Sequence, residues 1–229
     1  MTVSIPENLA GVGAAIRASA LRCGRAADSV HLIAVSKTQP ASSIRTAFAA
    51  GQRQFGENYL QEALDKMAQL QDLPLTWHFI GPIQSNKTRA VASHFDWVHT
   101  VDRVKIAQRL SEQRDPAQGP LNVLLQVNVS GEDSKSGVRL DELPVLAHAV
   151  ASLPNLKLRG LMAIPAPESD QTKQRAAFHG LAEAARALRQ GGLADCSELS
   201  MGMSQDYPAA IAEGATFVRI GTDIFGARH

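Results

Sequence analysis

The chain has 229 residues, a length at which α/β barrels form one domain, so we expect a single domain spanning residues 1–229. Lys and Arg number 23 against 22 Asp and Glu, without long runs of either sign, so charge predicts no nucleic-acid partner. Cys23 and Cys196 form no C-x-x-C motif, and no signal-type N-terminus or long apolar run is present, so we expect a cytoplasmic protein without membrane contact.

Short β-rich runs alternate along the chain with longer segments of helical apolar spacing, which is typical of βα units. The candidate strands are residues 31–37, 54–58, 77–83, 97–102, 122–129, 158–164, 198–203 and 216–221. The candidate helices between them are residues 42–50, 59–71, 86–95, 104–114, 140–152, 171–189 and 208–213. Eight strands predict a closed (β/α)8 TIM barrel rather than an open sheet of about five or six strands.

An extra helix over residues 6–22 precedes the first strand. It would either close the bottom of the barrel or pack beside the last strand. In a barrel of this kind the chemistry lies where the strands end, so the residues after each strand are the candidates for function.

Lys37 ends the first predicted strand, in LIAVSKTQP. A lysine partly buried in a barrel mouth has a lowered pKa, which makes its neutral amine available to attack a carbonyl. A solvent-exposed lysine at a strand end is the alternative, and position alone does not separate the two.

Asn58 and His78 belong to the second and third predicted strands. Asn58 would donate an amide hydrogen to a ligand oxygen or, alternatively, cap the helix that follows it. His78 is a candidate general base, but a lone strand histidine with no identifiable carboxylate partner is more often a hydrogen-bonded core residue.

The ends of the seventh and eighth strands carry the signal for phosphate binding. ELSMGMSQDYPAAI places Gly202 and Ser204 before a helix, and TFVRIGTDIFG ends the last strand with Gly221 and Thr222. Barrels commonly bind phosphate with these two loops.

Arg219 lies two residues before Gly221 and therefore on the same face of the last strand. An arginine in a barrel mouth needs an acceptor, either a pyridine nitrogen or a carboxylate such as Glu57 or Asp223.

Seven motifs together resemble the pyridoxal 5'-phosphate (PLP) homeostasis protein family. They are LIAVSKTQP, FGENYLQEA, WHFIGPIQSNK, VNVSGEDSKSGV, LRGLMAIP, LSMGMSQDYPAAI and VRIGTDIFGAR. The resemblance covers residues 31–228 and implies a fold-type III PLP barrel, like the N-terminal domain of alanine racemase.

The resemblance also implies the residues that hold the cofactor. Lys37 matches the lysine that forms the Schiff base with PLP, Arg219 matches the arginine at the pyridine nitrogen, and Asn58 matches a polar residue near the ring. The phosphate motifs contain Ser200, Ser204, Gly221 and Thr222.

The role implied is that of a non-catalytic, monomeric PLP carrier that sequesters the reactive aldehyde and supplies apoenzymes through transient contact. Lys135, in the loop after the fifth strand, would open on the same face as Lys37 and is a candidate secondary residue during PLP entry or exit.

A PLP-dependent amino-acid racemase is the main alternative, but it needs a second base, and Tyr59 and Tyr207 are both expected at helix starts. A serine hydrolase built on Ser204 fails because Asp206 replaces the required glycine. A dinucleotide site at Gly11 and Gly13 lacks both a preceding strand and the third glycine. No H-E-x-x-H or clustered Cys/His spacing predicts a metal.

Overall fold

Eight parallel strands close into one barrel in the computed structural model, which describes residues 4–130 and 136–226. The strands are β1 His31–Val35, β2 Gln54–Glu57, β3 Thr76–Phe79, β4 Trp97–Val101, β5 Leu121–Gln126, β6 Leu156–Met162, β7 Glu198–Ser200 and β8 Phe217–Ile220. Strand β8 pairs with β1 as well as with β7, which closes the sheet. The prediction of a (β/α)8 TIM barrel is confirmed.

Within residues 4–130 and 136–226, seven helices connect successive strands, as expected from the sequence. The helices are α1 Ile5–Arg22, α2 Ala41–Ala49, α3 Leu60–Gln69, α4 Thr88–His94, α5 Val104–Gln113, α6 Leu143–Ala151, α7 Gln171–Gln190, α8 Tyr207–Ala212 and α9 Thr222–Phe225. A 3-10 turn over Pro116–Gln118 and the short α9 are additional to the predicted elements. Within the described ranges, none of the helices has the length and hydropathy required to cross a bilayer.

The N-terminal helix α1 packs outside the barrel beside the last strand, which is the second of the two expected positions. It contacts α2, α8 and α9, and the Asn8 side chain donates a hydrogen bond of 3.0 Å to the carbonyl of Ile224. Because α9 has only four residues, it cannot cover the outside of β8. Helix α1 therefore completes the outer layer between α8 and α2.

All eight strands end one to four residues earlier than predicted. Strand β1 stops at Val35 and β7 at Ser200, rather than at residues 37 and 203. Thr38 (φ 65°) and Gly202 (φ 94°) have left-handed backbones, which cannot continue a strand. Strand β3 stops at Phe79, not at residue 83. The residues beyond these ends are free to line the mouth of the barrel.

Aromatic and histidine rings fill the barrel interior below the strand ends. His78 on β3 stacks on Trp97 of β4, with ring centroids 5.7 Å apart, and both rings contact Phe217 of β8. Strands β3 and β8 are not neighbours in the sheet, so these contacts cross the barrel. A floor of packed rings therefore lies beneath the mouth.

Candidate cofactor-binding site

A cavity of about 660 Å³ opens at the carboxyl ends of the strands. It is lined by residues that follow or end β1, β2, β7 and β8, together with parts of the loops after β5 and β6. Six of the predicted site residues line it: Lys37, Asn58, Ser204, Arg219, Gly221 and Thr222. Its volume falls in the range of small-molecule and cofactor sites.

Two of the three remaining predicted site residues are described by the structure, and neither lines this cavity. Ser200 is completely buried at the end of β7, and its hydroxyl oxygen accepts a hydrogen bond from Arg219. His78 is also completely buried and lies in the barrel floor, so its interpretation as a core residue fits the structure better than that of a general base. Lys135 lies outside the described residues.

A buried polar cluster supports the chain beneath Lys37. The Ser36 hydroxyl donates to Oε1 of Glu57 at 2.6 Å, and the Lys66 ammonium donates to the same oxygen at 2.8 Å and to the Ser36 carbonyl at 2.7 Å. Burial raises the pKa of Glu57, and the hydrogen bonds from Lys66 and Ser36 oppose that rise. The cluster fixes the residue that immediately precedes Lys37.

The residue after Lys37 is fixed by the same helix, α3. Glu62 accepts a hydrogen bond of 2.5 Å from the backbone N–H of Thr38 and pairs with Lys66 at 2.5 Å. The left-handed backbone of Thr38 (φ 65°) is unfavourable for a β-branched residue and persists only where its surroundings enforce it. The i,i+4 spacing of Glu62 and Lys66 is visible in the sequence, but their partners just after β1 and on β2 are not.

Asn58 lies directly after β2 and faces the cavity. It does not cap the next helix, because the N-cap of α3 is Tyr59, which makes no side-chain cap hydrogen bond. Among the described residues, its buried Oδ1 atom has no hydrogen-bond partner. An unpaired buried amide oxygen is costly unless a ligand or water satisfies it, so Asn58 has the capacity to bind a polar ligand.

The end of the cavity that was predicted to bind phosphate is formed by the loops after β7 and β8. Ser204 and Thr222 bring hydroxyl groups, and Gly221 forms the wall next to β1. A Cβ atom on Gly221 would lie 3.1 Å from the carbonyl oxygen of Val35. Glycine at this position therefore lets the backbone pack closely against Val35.

Arg219 is 4% exposed, yet it reaches the cavity from β8. Its guanidinium donates to the Ser200 hydroxyl at 2.7 Å and to the Ala163 carbonyl at 3.0 Å. Burial lowers the pKa of Arg219 to about 10, with Asp206 opposing the shift, so the group stays charged at neutral pH. Neither Glu57 nor Asp223 pairs with it among the described contacts. Its further N–H hydrogens remain available to a ligand.

His99 on β4 extends the contacts of Arg219 into the barrel floor. Its Nδ1 atom lies 2.8 Å from Oγ of Ser200, and its Nε2 atom lies 2.9 Å from Nδ1 of His78. Burial lowers the pKa of His78 to about 3, and burial together with His78 and Arg219 lowers the pKa of His99 well below its ordinary value. Both rings are therefore neutral at pH 7. His99 was not among the residues predicted from the sequence. The feature that could have indicated it is a histidine within the otherwise largely apolar strand β4.

We expect His99 to make the stability of the protein sensitive to acid. Its pKa is lower in the folded chain than the ordinary value of 6.5, so below pH 6.5 the unfolded chain takes up the proton first and unfolding is favoured. Between pH 7 and pH 5 the parent should lose about 2 kcal/mol of unfolding free energy relative to His99→Asn. Urea unfolding at both pH values measures this difference.

The matched control is His94→Asn, which changes an exposed histidine on α4. This variant should follow the parent at both pH values. A gap between parent and His99→Asn that stays constant from pH 7 to pH 5 would contradict the burial of a neutral His99.

Residues 13–229 match the family model described as the N-terminal domain of alanine racemase. A relative from Pseudomonas aeruginosa, the pyridoxal phosphate homeostasis protein, is 63% identical over 225 residues, covering 98% of this chain and 96% of that protein. The chain belongs to the pyridoxal phosphate homeostasis protein family. The family member from Escherichia coli K12 is 57% identical and covers 98% of this chain and 97% of its own length.

Solved structures agree with this family assignment. PipY of Synechococcus elongatus, solved with PLP bound, has a TM-score of 0.85 and 42% identity, covering 97% of this chain and all of its own. Alanine racemase of Corynebacterium glutamicum has a TM-score of 0.68 at 18% identity, which shows a shared fold alone. This chain spans 60% of that racemase. The fold shared with this racemase covers 98% of this chain.

Proposed function

We propose that this protein binds PLP as a Schiff base on Lys37, buffers it in the cytoplasm and supplies it to apoenzymes. The observation that carries the proposal is the meeting of Lys37, Arg219 and the phosphate loops in one cavity at the carboxyl ends of the strands. PLP brings an aldehyde that an amine can capture reversibly. We also propose that the protein is a monomer, that its contacts with apoenzymes are transient, and that the residues below hold the cofactor.

Lys37 supplies the amine. Its amine would hold PLP by reversible capture of the aldehyde, with the two amine hydrogens and the aldehyde oxygen released as water, so the attachment would need no oxidant or reductant. The cluster of Ser36, Glu57 and Lys66 holds the backbone on one side of Lys37, and Glu62 holds Thr38 on the other. This support fixes the backbone from which the Lys37 side chain extends into the cavity.

Three groups bind the rest of the cofactor in this proposal. Arg219 donates a hydrogen bond to the pyridine nitrogen and, as a permanent cation, keeps that nitrogen unprotonated. Ser204 and Thr222 donate hydroxyl hydrogens to the phosphate, and Gly221 allows the phosphate to reach the backbone. Asn58 supplies a polar contact near the ring by donating an amide hydrogen to a ligand oxygen.

We propose further that the protein has no catalytic turnover. No tyrosine is among the described residues that line the cavity. The lining carboxylates are Glu168 and Asp206, and both accept backbone N–H hydrogen bonds. Backbone hydrogen bonds lower the pKa of Glu168, with burial opposing them, which makes this carboxylate a weak base. A racemase needs an acid and a base on opposite faces of the α-carbon, and these residues do not provide that pair.

Racemase, transaminase and decarboxylase assays with common amino acids should therefore show no rate above that of free PLP. The direct measurement is exchange of the α-proton for deuterium, followed by NMR with the PLP-loaded protein and with free PLP at equal concentration. Stereospecific exchange at enzymatic rates would restore the racemase hypothesis.

We propose Lys135 as a secondary site for PLP, because it follows β5 in the sequence. This residue lies outside the described residues. Transfer of PLP from one lysine to another would avoid release of the free aldehyde. We expect Lys135→Ala to keep the absorption spectrum of the Lys37 adduct and to change the rate at which PLP reaches an added apoenzyme. Stopped-flow transfer at equal PLP loading measures this, with the exposed Lys105→Ala as control. Equal rates for Lys135→Ala and parent would remove Lys135 from the proposal.

A further inference from the structure

Four buried side chains form a continuous hydrogen-bonded row from the cavity into the barrel floor. Arg219 contacts Ser200 at 2.7 Å, Ser200 contacts His99 at 2.8 Å, and His99 contacts His78 at 2.9 Å. Ser200, His99 and His78 are completely inaccessible to solvent, and Arg219 is 4% exposed. The row joins β8, β7, β4 and β3, so it could form only after the barrel has closed.

The side chains at the start of the row determine which group donates in each of its hydrogen bonds. Arginine only donates hydrogen bonds, so Oγ of Ser200 accepts from Arg219. Among the described residues, the other partner of Oγ is His99, so the hydroxyl hydrogen goes to Nδ1 of His99. His99 then carries its proton on Nε2 and donates to Nδ1 of His78. His78 in turn carries its proton on Nε2.

The opposite direction leaves more buried groups unsatisfied. If His78 donated to His99 and His99 donated to Ser200, Oγ of Ser200 would accept from both His99 and Arg219. Its own hydrogen would then have no acceptor among the described residues. In both directions Nε2 of His78 has no partner within the described chain. The direction from Arg219 to His78 therefore leaves one fewer unsatisfied buried group, and such groups are costly.

Both histidines must be neutral to serve in this row. Apolar and aromatic neighbours, among them Trp97 and Phe217, surround their rings. The Arg219 guanidinium is the charged member of the row, and it disfavours a second positive charge on His99. A neutral imidazole can accept at one nitrogen and donate at the other, as the row requires.

We infer that His99 and His78 are positioning residues, which act through Ser200 to fix the guanidinium of Arg219 at the cavity wall. Because Nδ1 of His99 accepts the hydrogen bond from the Ser200 hydroxyl, a lone pair of Oγ points towards Arg219. The Ala163 carbonyl holds the second guanidinium nitrogen at 3.0 Å, so the orientation of the planar group is set from two sides. The consequence for the ligand rests on the proposed PLP function, whereas the proton pattern belongs to the protein itself.

The proton pattern can be measured on the protein without PLP. A long-range 1H–15N correlation spectrum of the 15N-labelled protein at pH 7 distinguishes neutral rings protonated on Nε2 from those protonated on Nδ1. We expect both His78 and His99 to be neutral with the proton on Nε2. A proton on Nδ1 of His99, or a doubly protonated ring at either position, would overturn the inference. This result does not depend on whether the protein binds PLP.

The effect on the ligand is tested with two changes at His99. His99→Leu removes the acceptor for the Ser200 hydroxyl, whereas His99→Asn keeps an amide oxygen near the position of Nδ1. We expect His99→Leu to weaken PLP binding about tenfold, the effect of one well-placed buried hydrogen bond. His99→Asn should stay within about threefold of the parent by the same measure. The exposed His94→Leu is the matched control.

The 15N chemical shift of the pyridine nitrogen in labelled PLP separates positioning from a structural role. It should move in His99→Leu and stay near the parent value in His99→Asn. Parent affinity and an unchanged nitrogen shift in a folded His99→Leu would overturn the inference. If His99→Leu does not fold, His99→Asn and the proton pattern of the parent provide the test. A nitrogen shift near the parent value and an affinity within about threefold of the parent would support the inference, and a changed nitrogen shift or weaker binding would contradict it. Failure of the parent to bind PLP would instead contradict the proposed function.

Discussion

Lys37→Ala should abolish the visible absorption of the PLP-loaded protein and leave the barrel folded. The substitution removes the amine that captures the aldehyde, so PLP should no longer survive dialysis with the protein. The free energy of unfolding should change by less than about 1 kcal/mol, because the side chain lies in the cavity beyond the end of β1 and not in the core. Absorption after dialysis and far-UV circular dichroism measure the two effects.

Lys37→Arg is the matched control because it keeps the positive charge without a nucleophilic amine. Loss of visible absorption in both variants would attribute the effect to the amine and not to the charge. If Lys37→Ala lost its circular dichroism spectrum, Lys37 would be a structural residue. If it kept the visible band, another lysine would be the site of attachment.

Arg219→Glu should change the absorption spectrum of bound PLP and weaken its retention. A carboxylate at this position would favour a protonated pyridine nitrogen and reverse the local charge. The protein should also lose about 3 kcal/mol or more of stability, because a buried charge replaces one that was hydrogen-bonded to Ser200 and Ala163. Spectra of the loaded protein and urea unfolding measure these changes.

Arg219→Gln is the comparison variant for the charge. It keeps an N–H donor but introduces no carboxylate, so it should weaken retention without the spectrum of a protonated ring. An unchanged spectrum in a folded Arg219→Glu variant would place Arg219 away from the pyridine nitrogen.

The eight-strand order and the position of Lys37 were predictable because both depend on local patterns. Apolar runs separated by helical segments define βα units, and in a barrel the carboxyl ends of the strands all meet at one mouth. The same rule placed Asn58, Ser204, Gly221 and Thr222 in the cavity. The exact ends of β1 and β7 were not predictable, since left-handed backbones at Thr38 and Gly202 follow them.

The support behind the site could not be predicted because it joins residues that are distant in sequence. His99 and Ser200 are 101 residues apart, and Ser36 and Lys66 are 30 residues apart. Strand periodicity places His99 on a face of β4, but the register of several strands decides which groups it meets. For this reason Ser200 matched the phosphate motifs in the sequence, whereas the structure pairs its hydroxyl with Arg219 and His99.

The most direct test of the account is reduction of the purified, PLP-loaded protein with borohydride, followed by peptide mapping. Borohydride reduces a Schiff base to a stable secondary amine, so it fixes PLP to the lysine that holds it. We expect loss of the visible band and a phosphopyridoxyl group on the peptide that contains Lys37. A phosphopyridoxyl group found mainly on another lysine, or a loaded protein that yields no modified peptide, would contradict it.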